Sequence, residues 1–187
     1  MSRKRKAFTA GAVSLALAAG GLAMTAATAG GATVGCQALT SGNGECGSVA
    51  LQFGHLALDD YQQNEYPGNK IILWTKSNAD PAQDFYAAHY NPAGGQFTLE
   101  YARNGIRSGL CVTFPATGLG THAELEPCNE GPFQTFTARA SGTGGYYVIT
   151  NQASKLDIDD NGYGNQGTRV DQWDYTGNGN QLWKPFG

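Results

Sequence analysis

A glutamine followed two residues later by an aromatic occurs three times in this chain, as Gln83-x-Phe85, Gln134-x-Phe136 and Gln181-x-Trp183, at steps of 51 and 47 residues. Upstream of each lie two apolar segments. They are Leu56-Ala57-Leu58-Asp59 with Ile71-x-Leu73-Trp74, Leu110-Cys111-Val112 with Leu125, and Leu156-Asp157-Ile158 with Val170-x-x-Trp173. A repeat near this length without an internal helical period predicts three strand-built units. Residues two apart on a strand share a side, so each Gln and its aromatic point the same way. One short unit cannot bury a ring alone, whereas three units closing on a common axis bury Phe85, Phe136 and Trp183 together.

The rest of the chain supports an all-β reading. Ser48 to Asp59 alternates as a strand, and period-two character recurs at residues 71–74, 97–101, 133–136 and 146–149. Turn signals separate these segments, among them Pro67-Gly68-Asn69, Asn91-Pro92-Ala93-Gly94-Gly95 and Ser141-Gly142-Thr143-Gly144-Gly145. The 27 glycines and 11% aromatic content fit many short strands joined by tight turns.

The N-terminus reads differently. Arg3-Lys4-Arg5-Lys6 precedes a small-residue apolar run over residues 7–27 and an Ala27-Thr28-Ala29 site. This pattern predicts a secretory signal peptide over residues 1–29, an extracellular destination, and no membrane attachment once it is cleaved. Its removal takes away four basic residues and no acidic one, so the net charge moves from −3 to −7. Such a surface disfavours nucleic acid and anionic membranes, whose binding needs basic patches. Four cysteines in an exported chain predict two disulfides, for which three pairings are possible. Cys111 and Cys128 fall at the ends of one unit's two segments, and pairing them ties those strands. That leaves Cys36 with Cys46 in a short lead-in over residues 30–47.

The repeats resemble those of ricin-type β-trefoil lectins, the carbohydrate-binding modules often carried by secreted bacterial glycoside hydrolases. The third unit carries the resemblance best, in Lys155-Leu156-Asp157-Ile158, Val170-Asp171-Gln172-Trp173-Asp174-Tyr175 and Asn180-Gln181-Leu182-Trp183. It implies a β-trefoil with pseudo-threefold symmetry over residues 48–187, with units near 48–101, 102–144 and 145–187. It also implies an oligo- or polysaccharide partner bound in shallow sites. There a carboxylate accepts from sugar hydroxyls, an aromatic packs on the pyranose face and an Asn completes the rim. By that likeness the third-unit site is Asp157, Trp173 and Asn180 supported by Gln181. The first unit offers Asp59, Trp74 and Gln83 but has Ala82 in place of Asn. The second, with Thr113, Glu126 and Phe133 at these places, is structural.

Three other readings are weighed against this one. Asp157-x-Asp159-x-Asn161-Gly162 matches the start of a calcium loop, but the twelfth place is Thr168 and no helix flanks it, so neither metal nor cofactor is expected. Glu124 and Glu126 share a strand face, as a glycoside hydrolase pair would. They lie in the unit whose binding residues are lost, and His55, His89 and His122 stand in no nucleophile or zinc motif, so a non-enzyme is expected. The same architecture also serves as a protease inhibitor, a role that needs an exposed rigid loop and no sugar cavity.

Overall fold

The computed structural model describes residues 44–88, 95–161 and 164–186. The expected leader, Cys36 and His89 lie outside the described residues. Strands dominate, and no helix among the described residues is long and apolar enough to cross a membrane.

Each unit is centred on an antiparallel hairpin. In chain order these pair β3 (Leu56–Asp60) with β4 (Ile71–Thr75), β8 (Ile106–Thr113) with β9 (Glu124–Pro127), and β12 (Asp157–Asp160) with β13 (Val170–Trp173). The cross-strand partners Asp59 and Ile72, Thr113 and Glu124, and Asp159 and Asp171 are equivalent among the three. One residue earlier, Leu58, Val112 and Ile158 all turn into the core.

The hairpins close on one another in a ring. Gly68 donates its backbone N–H to Leu125 O at 2.7 Å, Gly120 to Gln172 O at 2.9 Å and Gly167 to Leu73 O at 2.7 Å, so each unit is clasped to the next. The three glycines have φ of +82°, +71° and +87°, a conformation in which a β-carbon is strained.

Beneath the hairpins, Phe85 opens β5 (Phe85–Ala88), Phe136 lies in β10 (Thr135–Ala140) and Trp183 opens β14 (Trp183–Pro185), all fully buried in one cluster. Phe97 and Phe114 pack on Phe136 at 6.2 and 6.1 Å between centroids, while Tyr101 packs on Phe85 at 6.0 Å. The glutamines clip the units from outside the core. Gln83, Gln134 and Gln181 donate to the carbonyls of Thr75, Pro127 and Asp174, and accept from the N–H groups of Ser77, Asn129 and Thr176. A buried amide that satisfies two backbone groups in a turn explains why Gln recurs there.

Two strand expectations change. The run from Ser48 to Asp59 breaks into β2 (Val49–Leu51) and β3, because Gly54 and His55 both take positive φ and reverse the chain. The strand expected at residues 133–136 instead starts at Thr135, leaving Phe133 exposed in the preceding turn.

Cys111 and Cys128 form a disulfide across the second hairpin, spanning 17 residues, and closing a loop of this length contributes about 3 kcal/mol. Cys46 is also disulfide-bonded. It lies in β1 (Gly44–Gly47), which pairs antiparallel with β5 and adds an edge strand to the trefoil.

Candidate functional site

Strand alternation decides what the third hairpin shows to solvent. Asp157, Asp159, Asp171 and Trp173 lie on its outer face, since each is two residues from the next on its strand and the register pairs Asp157 with Trp173 and Asp159 with Asp171. The loop over residues 176–180 folds across this face, and Gly120 of the second unit approaches the edge of the Trp173 indole. Between them is an open, shallow cavity of about 300 Å³, walled by Asp159, Asp171, Trp173 and Asn180, with Asp160 and Asn161 at its end.

Within the cavity Asn180 donates from Nδ2 to both carboxylate oxygens of Asp159, at 3.1 and 3.0 Å. Trp173 is 42% exposed and presents its ring as a wall. Asp159 and Asn180 keep 6% and 7% of their surface, at the cavity lining. Burial raises the proton affinity of Asp159, the Gln181 and Asn180 amides oppose it, and the Asp157 charge adds to it.

Of the residues expected from the sequence, Trp173 and Asn180 meet here, and Gln181 supports the site from behind. Asp157 does not line the cavity. Its Oδ2 accepts from Arg139 at 2.9 Å and its Oδ1 from the Thr150 hydroxyl at 2.5 Å, and Arg139 in turn stacks on Tyr175 at 4.3 Å. Asp159 takes the carboxylate position, because Ile158 rather than Leu156 is the residue equivalent to Leu58 and Val112 in the core. The signal was present in the sequence, in the alignment of units on their buried aliphatic residue. Asp171 is level with Ile72 and Glu124, so the second unit also carries a carboxylate at this place and the first does not.

In the first unit Asp59 is fully buried beneath Gln83, which donates to it at 3.2 Å, and Ala82 is also fully buried. Trp74, half-buried, packs against the Gly167 turn of the third unit. In the second unit Thr113 takes the Asp59 position and accepts from Gln134 at 2.9 Å. Phe133 there is exposed and Glu126 half-buried. The calcium-loop pattern fails for a geometric reason. Asp157 to Asp160 is extended strand, so its alternate carboxylates stand about 7 Å apart along the chain rather than winding around one ion.

Three carboxyls of the fold are held well above the ordinary 3.8. Burial chiefly pushes Asp60 to about 7, Asp171 to about 7 and Asp160 to about 6. A carboxyl whose folded pKa is raised binds more protons in the folded chain than in the unfolded one. The stability that these three groups contribute is therefore fully present at low pH and is lost as pH climbs from about 4 towards about 7, at about 1.4 kcal/mol for each tenfold in proton affinity. The midpoint of urea unfolding is expected to be higher near pH 5.5 than near pH 8, and Asp60→Asn should flatten the profile. A midpoint that rises across that interval contradicts this account.

A family model described as "Ricin-type beta-trefoil lectin domain-like" matches residues 81–173 and 132–186, and the chain belongs to this family. No curated protein matches the sequence. Among solved structures, the designed threefold-symmetric protein ThreeFoil superimposes with a TM-score of 0.66 at 20% identity, covering 76% of this chain and 97% of its own. The exo-β-1,3-galactanase 1,3Gal43A of Clostridium thermocellum matches with 0.65 at 20% identity, over 75% of this chain and 29% of the galactanase. The C-terminal half of an earthworm R-type lectin, solved in complex with GalNAc, gives 0.53 at 17% identity, over 74% of this chain and 95% of that one. At these identities the likeness establishes the β-trefoil.

Proposed function

We propose that this protein is exported and acts as a non-catalytic carbohydrate-binding domain, holding glycan in the cavity of its third unit. The observation that carries this reading is the convergence of Asp159, Asn180 and Trp173 in one open, shallow cavity. Asp159 accepts from two adjacent sugar hydroxyls, with its orientation fixed by Asn180. Trp173 covers the apolar C–H face of the ring. Family membership and the GalNAc held by the earthworm relative support a saccharide as partner. A galactanase that contains a match to this chain over only part of its length fits a role as a binding module rather than the hydrolytic part.

A shallow site that trades hydrated hydroxyls for protein contacts binds weakly, about −4 kcal/mol or millimolar for one sugar. Two molecules on one polymer then supply the avidity. The test is a pull-down on a panel of insoluble polysaccharides with soluble monosaccharides as competitors. Retention on one polymer, released by one sugar, is the expected result. A folded protein retained on none contradicts the reading and turns attention to protease inhibition.

A further inference from the structure

The third-unit cavity is short of positive charge, although asparagine amides and the Thr176 hydroxyl also line it. Three carboxyl groups, those of Asp159, Asp160 and Asp171, line it, and among the described residues no lysine, arginine or histidine does. Asp171 is 2% exposed and Asp160 1%, and each keeps one carboxylate oxygen without a hydrogen-bond donor. The Oδ1 of Asn180 is likewise unpartnered. All three orphaned atoms are acceptors. Beyond burial, Asp171 feels only the like charges of Asp159 and Asp160, and Asp160 is relieved only by the N–H of Gly164. Buried carboxylates in such surroundings call for a cation.

We propose that this cavity selects a sugar bearing a protonated amine, a de-N-acetylated hexosamine unit of an amino polysaccharide, over its neutral counterparts. The inference rests on the reading that the cavity binds glycan. An ammonium group brings three N–H donors and a full charge to Asp159, the accessible carboxylate, while Asp171, its cross-strand neighbour, and Asp160 strengthen the field from the wall. Trp173 serves the same ligand twice, through the pyranose face and through attraction of its ring for a nearby cation. N-acetylation removes both the charge and two of the donors. A uronic or sialic acid brings a fourth negative charge into the same space and is rejected.

A bare metal ion fits less well. It needs several ligand atoms close together, and among the described residues the one set of three His, Cys, Asp or Glu side chains with such atoms within 4.8 Å is Glu100, Cys111 and Cys128, whose sulfurs are joined in the disulfide. The three cavity carboxylates do not come together within that distance.

The test is calorimetric binding of the full chain, in EDTA near neutral pH, to oligomers of glucosamine and galactosamine, their N-acetylated forms, oligogalacturonate and spermidine. The amine oligomers are expected to bind at least about tenfold tighter than the acetylated ones, with no binding of oligogalacturonate. Asp171→Asn replaces a buried carboxyl, partly protonated near neutral pH, by a neutral amide and should fold at least as well, and it is expected to cut the preference below about threefold. Acetylated and free-amine oligomers binding equally overturns the proposal, as does binding that appears only when calcium is added. Spermidine competing as well as the oligomers also overturns it, because the site is then an ammonium site without sugar recognition. Trp173-dependent binding of a neutral sugar alone leaves the glycan reading standing and removes this one, whereas no binding to any sugar removes both.

Discussion

Trp183→Ala is expected to abolish cooperative folding or to lower the melting temperature by about 10–15 °C, the largest stability effect of any single truncation in the chain. The ring is fully buried and touches the cluster that also holds Phe85 and Phe136. Replacing a buried aromatic by Ala costs about 3–5 kcal/mol, through lost transfer energy and the cavity left behind. A second loss is particular to this position. The indole Nε1 donates to the Ile158 carbonyl at 2.9 Å, so the truncation strips the donor from a buried acceptor on the third hairpin. Trp183 also pairs with Leu51 on one side and Tyr147 on the other, making β14 the strand through which the last unit joins the first. Against a typical total of about 5–15 kcal/mol, a loss of this size removes a third or more of the margin. Circular dichroism melts check it, and a soluble Trp183→Ala protein that melts like the parent, having lost only glycan binding, contradicts its place in the core.

The same residues show what a sequence can and cannot disclose. Three Gln-x-aromatic steps are enough to read a threefold assembly, because each glutamine clips a turn and each ring fills one third of a shared core. Both jobs tolerate little else, so the pattern persists even where the rest of a unit has drifted. The carboxylate that lines the cavity is harder to read. The third hairpin contains two aliphatic-Asp pairs, Leu156-Asp157 and Ile158-Asp159, of equal hydrophobic weight. In the fold they differ, because Ile158 reaches the core cluster while Leu156 stays half-exposed beside the turn. A slip of two residues keeps every side chain on its correct face and so violates no alternation rule. Gln172 hides its role in a different way. It is fully buried where the other units carry Leu73 and Leu125, and its amide is satisfied by the carbonyls of Ala116 and Gly118 and by the Ser154 hydroxyl. A polar residue completed by partners far away in the chain looks like surface until the fold supplies them.

Asp159→Ala and Trp173→Ala are each expected to abolish detectable retention on the polysaccharide, while Asp157→Ala leaves retention within about threefold of the parent. The three positions share one sheet face and differ in what they can reach. Asp159 touches the cavity and is held there by Asn180, so its removal deletes a charged acceptor worth about 1.5–3 kcal/mol and leaves the Asn180 amide without its partner. Trp173 supplies the apolar wall, and its loss takes a comparable share of the total. From a starting affinity near millimolar, either change weakens binding by roughly 10- to 100-fold, below what a pull-down registers. Asp157 has its oxygens committed to Arg139 and Thr150, outside the cavity wall. Its truncation frees Arg139 from a half-exposed ion pair and costs stability, not ligand contacts. The comparison is therefore read on folded protein, by one binding assay and one melt for each variant. Should Asp157→Ala lose binding while Asp159→Ala keeps it, the glycan must lie on the Arg139 and Tyr175 side of Trp173, and the cavity assigned here is not the site.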